Sequence, residues 1–180
     1  MTFCTRRHQL VSSARIGQYA LVANDDAGLV KVRFKLTRDE GGWPPVESEG
    51  VWAEPLGDDA YRIDNTPWFV LGIAADDVVS ALAGSDGVLW ATGKLRSSGR
   101  LTIRVIPRAD GPMAGDLEAV LSAFRAFGVS GEGASQWSIV ALDVAPDADL
   151  PAVKGLLIAG EADGRWDFEE GSIDNAWSTA

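Results

Sequence analysis

Along the first half of this chain apolar residues recur mainly at every second position, whereas the second half holds two stretches where they recur every third or fourth. In "LVKVRFKL" (29–36) Val30, Val32, Phe34 and Leu36 share one face, with Lys31, Arg33 and Lys35 on the other. That alternation predicts a half-buried strand. "ESEGVWAEPLG" (47–57) and "AYRIDN" (60–65) predict two strands around a "GDD" turn, with Tyr61 and Ile63 on one face of the second. "GVLWATGKL" (87–95) and "LTIRVIP" (101–107) predict two more, joined by "RSSGR" (96–100) as a hairpin turn. "EGGWPP" (40–45) is a loop on composition. "DDVVSALAG" (76–84) reads as a short helix, with Asp76 or Asp77 as N-cap and Gly84 as C-cap. Several short strands with one short helix predict a small β-barrel or a strongly curved antiparallel sheet.

The period then changes. "DLEAVLSAFRAFG" (116–128) sets Leu117, Val120, Leu121, Phe124 and Phe127 on one helical stripe, ended by Gly128. "DLPAVKGLLIAG" (149–160) predicts a second helix, with Asp149 as cap, Pro151 in the first turn and Val153, Leu156 and Leu157 as the buried stripe. "WSIVALDV" (137–144) is apolar on both faces, as in a central strand, and "RWDFEEGSI" (165–173) is the last strand. With a strand near 129–134, residues 101–173 read βαββαβ, the order of a ferredoxin-like unit, whose first and third strands lie at the centre. The strand at 101–107 mixes its faces, Leu101, Ile103 and Val105 against Thr102 and Arg104, so its second face is expected to pack on the barrel. The expected class is α+β: residues 1–28 a loosely ordered N-terminal extension, 29–100 a barrel-like subdomain, 101–173 a ferredoxin-like subdomain, and 174–180 a tail.

"YRIDNTPWFV" (61–70) poses a choice between a polar site and a turn. Asp64 and Asn65 are residues that bond local backbone, and Pro67 biases Thr66 to an extended conformation. The stretch reads as a corner that delivers Trp68, Phe69, Val70 and Leu71 into the core.

Charge narrows the partners. The formal net charge is −10, and it is uneven. Residues 1–30 carry three arginines and two aspartates (+1), 31–100 eight basic and eleven acidic residues (−3), and 101–180 five basic and thirteen acidic (−8). Such a surface disfavours nucleic acid and anionic lipid and favours a basic partner or plain solubility. No window approaches a membrane span. The single cysteine, Cys4, allows no internal disulfide, and Arg15 interrupts the apolar run that a signal peptide would need; both fit a cytoplasmic protein.

Catalytic chemistry finds little footing. Cys4 and His8 have ligand-like spacing but are the only Cys and His, and a structural zinc site wants four such ligands. A lone His also removes the usual general base. The acids Asp163, Asp167, Glu169 and Glu170 lack the glycine-punctuated loop of a calcium site and read as solvated surface. "RSSGR" lacks the phosphate-loop pattern. No carboxylate pair stands out by spacing for glycoside chemistry. Of seven tryptophans, Trp52, Trp68, Trp90, Trp137 and Trp166 fall on strand patterns and are expected in the core, while Trp43 and Trp177 lie in a loop and the tail, as interface anchors or lids.

Trp52–Ala53–Glu54, Tyr61 with Arg62, Asp64–Asn65 with Pro67, Asp77, Ser98–Gly99 and the acidic "FEEG" occur in an order that resembles a bacterial family, domain-of-unknown-function family 4265. The resemblance runs from Leu29 to Gly171 and implies a shared fold but no activity. The acidic C-terminal half also resembles, at the level of topology, the B-type regulators of ribonuclease E, which act by binding an enzyme.

Two functions follow as expectations. The first is a non-enzymatic regulator or immunity-type inhibitor that binds a basic protein, a nuclease or toxin, through Asp143, Asp147, Asp149, Glu161, Asp163, Asp167, Glu169 and Glu170. The second is a small-molecule-binding module with a barrel mouth built from Asp64, Asn65, Trp68, Ser97, Ser98 and Arg100. An enzyme using carboxylates alone ranks third. No cofactor and no metal are expected.

Overall fold

The computed structural model describes residues 28–180. The expectations for Cys4, His8 and the N-terminal extension therefore lie outside the described residues. Five strands form a closed barrel: β1 (Val30–Lys35), β2 (Ser48–Gly57), β3 (Ala60–Ile63), β4 (Val78–Ala83) and β5 (Leu89–Arg96). Neighbours in the meander pair antiparallel, and with an odd strand number the closing pair, β1 with β5, must be parallel. Alternation fills the interior as expected: Val32, Val51, Ala53, Ile63, Val79 and Ala81 are wholly buried.

The chain then builds a four-stranded antiparallel sheet from β6 (Leu101–Pro107), β7 (Val129–Ala134), β8 (Ile139–Val144) and β9 (Trp166–Ser172), in the order β7-β8-β6-β9. Two helices, α1 (Leu117–Phe124) and α2 (Leu150–Ala162), pack on it. Both are capped by aspartates, the second as the sequence predicts. Asp116 accepts from the Ala119 amide and Asp149 from the Ala152 amide, so each satisfies an orphan donor of the first turn. α1 continues through a 3-10 turn and stops at Gly128, whose φ of 77° is the left-handed C′ conformation. Leu101, Ile103 and Val105 of β6, with Val140, Leu142 and Val144 of β8, meet Val120, Phe124, Val153 and Leu157 of the helices. β8 is central and every residue of it is buried, which is why it reads as apolar on both faces. Gly160 is required by a close approach: a Cβ there would fall 2.1 Å from the buried Trp166 ring.

Four expectations need correction. Residues 76–84 are not a helix: Val78–Ala83 is β4, paired with both β3 and β5. Two adjacent β-branched valines fit a strand, the apolar spacing over so few residues suits either period, and sheet pairing decides. Asp77 is accordingly no helix cap. "RSSGR" is not a hairpin turn, because β5 and β6 belong to different sheets and the segment carries the chain from one to the other. Trp177 is neither an interface anchor nor a lid on the barrel: Asn175–Thr179 form a helical turn, α3, capped by Asp174, and Trp177 is 1% exposed. Its indole donates to Glu170 and the Lys154 ammonium lies over its ring, so it seals the edge of the second core. Of the five tryptophans expected in the core, Trp166 alone is fully buried; Trp52, Trp68, Trp90 and Trp137 are half-buried.

Candidate functional site

The barrel and the sheet are joined by the stretch between β3 and β4. Asn65 works as a corner, with a long local bond from its side-chain amide to the Thr66 carbonyl at 3.4 Å and a shorter one across the sheet. Its side-chain oxygen accepts from the Trp52 amide of β2 at 2.8 Å, and the Asp64 amide donates to the Trp52 carbonyl. Past that corner Phe69 and Val70 are buried, Trp68 is half-buried and Leu71 is 70% exposed. Three of the four side chains thus go inward as predicted, and Leu71 turns out. Phe69 is the wedge of the joint, edge-on to Trp43 at 5.5 Å and to Trp137 at 6.0 Å, and packed with Ala134 and Ile139 of the sheet.

Two ionised side chains hold this wedge from opposite sides. Glu49 of β2 is 8% exposed and accepts three consecutive amides, from Trp68 at 2.7 Å, Phe69 at 2.8 Å and Val70 at 2.9 Å. A buried carboxylate is tolerated when its lone pairs are met in this way. From the sheet side comes Arg104 of β6, 3% exposed, whose Nη1 donates to the Trp68 and Phe69 carbonyls. Thr102, two residues before it, donates to the Ile73 carbonyl. The polar face of β6 therefore packs on the barrel half, as the mixed pattern of that strand predicts.

Arg104 is incompletely satisfied. A guanidinium carries five N–H donors. Nε lies 3.3 Å from a Glu169 oxygen, in ion-pair range, but its N–H is not aimed there and it has no hydrogen-bond partner among the described residues. Nη2 makes no hydrogen bond among the described residues. Burial pushes the guanidinium below its ordinary pKa, and the carboxylates of Glu169 and Glu49 pull the other way.

This arginine lines an open groove of about 950 Å³. The origin of the groove is the closure of the barrel. β1 and β5 pair at only two positions, Val32 with Leu89 and Arg33 with Trp90. Beyond them the strands part, and the residues that follow, Phe34 to Thr37 and Ala91 to Lys94, become its walls. Trp43, Phe69, Val70, Ile73, Leu82 and Ala83 supply apolar lining, and Arg104, Glu169 and Glu170 line it from the sheet. Of its cations, Lys94 donates to Asp77 at 2.9 Å and Lys35 lies over the Trp90 ring, whereas Arg104 is the one with a buried donor that no described residue meets.

The residues expected at a barrel mouth do other work, and none of the six lines this groove. Asp64 is exposed, and Asn65 is bound to β2. Ser98 donates to the Ala75 carbonyl and, through its amide, to Asp77. Ser97 accepts from the Gly99 amide, and Arg100 grips Asp143 with Nε and Nη2. The Trp68 indole N–H is buried without a partner among the described residues.

The eight acids are likewise mostly engaged. Asp143 is bound by Arg100 and Ser130, Asp163 pairs with Arg165, Asp167 with Arg108 and Glu169 with Arg104. Asp149 caps α2 and Glu170 accepts from Trp177. Asp147 and Glu161 are exposed. Arg104 was legible only as a charge on the minority face of an apolar strand. Phe34, Trp90 and Thr92 carried no signal beyond strand alternation.

These features define a class: an α+β protein with a closed five-stranded barrel and a second antiparallel sheet backed by helices. Within it the chain belongs to the family described as "Domain of unknown function (DUF4265)", whose model matches residues 49–168. Among solved structures it is similar to a hypothetical protein from Neisseria gonorrhoeae, at 17% identity and a TM-score of 0.65, over 79% of this chain and 93% of that one. At that identity the likeness concerns the fold alone. No curated protein matches. No helix among the described residues is long and apolar enough to cross a membrane.

Proposed function

We propose that the protein is a non-enzymatic binding module for a small apolar molecule, held in the groove where β1 and β5 part. The observation that carries this reading is the groove itself. Its volume, about 950 Å³, its aromatic and aliphatic walls and its few convergent polar groups are those of a ligand site. The barrel scaffold supplies rigidity, and the groove already stands open to the apolar body of a ligand.

The test uses N-phenyl-1-naphthylamine, a neutral dye that brightens on leaving water. One molecule is expected to bind per chain, with a Kd of about 1–10 μM. Ala83 is exposed on the groove rim, so Ala83→Trp fills the groove without entering either core, and it should abolish binding. Absence of binding, or binding indifferent to that substitution, overturns the reading.

The reading of an acidic docking face for a basic protein has weaker support. Five of its eight acids are hydrogen-bonded within the chain, which leaves Asp147, Glu161 and the loosely paired Glu169 as its freest elements. The −8 of residues 101–180 still favours it, and binding of a basic protein that disappears on Asp147→Lys with Glu161→Lys would restore it. We further assign the sheet half to the ferredoxin-like topology, on the central position of its first and third strands, and the protein to the cytoplasm, on its cysteine usage.

A further inference from the structure

We propose that the ligand of this groove carries a carboxylate, which docks on the Nε–Nη2 edge of Arg104 in place of Glu169. The inference rests on the groove reading above and adds the chemistry of the ligand's head. Nearly every buried polar group in a folded protein finds a partner, and a buried guanidinium is among the most demanding. In Arg104 only Nη1 is served, by two carbonyls. The remaining edge, Nε and Nη2, is the side-on fork that fits the two oxygens of a planar carboxylate. Glu169 stands in range of that edge without bonding it, and its side chain is 40% exposed, so it is free to swing aside.

Geometry also favours a monoanion over a phosphate. Glu169, Glu170 and Asp39 all line the groove, so a second negative charge would meet repulsion. The apolar body of the ligand would extend from Arg104 along Phe69 and Phe34 toward Trp90. Glu169 is then a placeholder that the ligand displaces.

Isothermal titration calorimetry on the full chain, with three probes of one shape, tests this. 2-Naphthoate is expected to bind at least about tenfold tighter than the neutral 2-naphthamide, the worth of a charge-assisted hydrogen-bond pair, and tighter than 2-naphthyl phosphate. Arg104→Lys keeps the charge but loses the fork, and should shrink the acid-to-amide ratio to about twofold or less. Because Arg104 also supports the Phe69 segment, Glu169→Gln serves as the second variant. It removes the competing carboxylate and should raise 2-naphthoate affinity about three- to tenfold, leaving 2-naphthamide unchanged. Equal binding of acid and amide, tighter binding of the phosphate, or weaker 2-naphthoate binding in Glu169→Gln would each overturn the carboxylate assignment while the groove stands. If no probe binds and the neutral dye also fails, the groove reading falls with it.

Discussion

Three arginines recur at four-residue spacing along one strand and its ends, and they have three different fates. Arg100, just before β6, grips Asp143 side-on: Nε donates to one oxygen at 2.7 Å and Nη2 to the other, with Ser130 adding a third bond to the acid. Arg108, just after β6, places Nε and Nη2 on one oxygen of Asp167, at 3.1 and 2.7 Å, in solvent. Arg104 lies between them and is the most buried of the three, yet makes no hydrogen bond to its acid. Burial raises the penalty for an unmet donor, so the order of satisfaction should run the other way. A carboxylate is present at all three positions, so supply of acids is not the cause. The difference is that Arg104 faces a groove and its two neighbours do not.

The largest expected effect comes from removing the seat on which Arg104 rests. Glu49→Ala leaves three buried amides of the Phe69 segment without an acceptor and removes a carboxylate that stabilises the Arg104 charge. Urea denaturation should show a loss of about 4 kcal/mol, at the upper end for a single substitution. Glu49→Gln, which keeps one acceptor oxygen, should lose clearly less. Equal losses would mean that shape, and not the acceptor set, fixes the segment.

The next prediction bears on the comparison directly. Asp143→Asn should cost about 2 kcal/mol, because it breaks a half-buried bidentate grip. Glu169→Gln should change stability by less than about 0.5 kcal/mol, because no hydrogen bond is lost. Denaturation of the two variants side by side decides the matter. If Glu169→Gln cost as much as Asp143→Asn, Arg104 would depend on Glu169 and its edge would not be available to a ligand.

Much of this scaffold is written locally in the sequence. Val30, Val32 and Phe34 alternate because β1 has one buried face, and Asp116 and Asp149 announce their helices by capping them. The corner at Asn65 is legible from turn chemistry, although its partner, the Trp52 amide, is not. Two things escape a local reading. Val78 and Val79 suit either a short helix or a strand until β3 and β5 arrive on both sides. The groove depends on where a parallel pairing stops, between segments far apart in the chain, and no residue type marks that point. Arg104 falls in between. Its charge on an apolar strand is visible in sequence, but its unmet donors exist only once the Phe69 segment and Glu169 are placed around it.

Arg108 and Asp167 supply the smallest effect and the control. The hydrogen bond from Arg108 holds the Asp167 carboxyl below its ordinary value of 3.8. A folded-state pKa that is depressed adds stability above the unfolded value, and that stability is lost as the pH falls through the lower folded one. The pair should therefore contribute its full share above about pH 4 and lose it only in stronger acid, with added salt weakening it because both groups face solvent. A carboxyl NMR titration checks this. The Asp167 midpoint should lie below 3.8 in the native protein and return toward it in Arg108→Gln, while Arg104→Lys leaves it in place. A midpoint that followed Arg104 instead would mean that the two sites share one charge network. The contrast between a groove-facing arginine and a solvent-facing pair would then no longer hold.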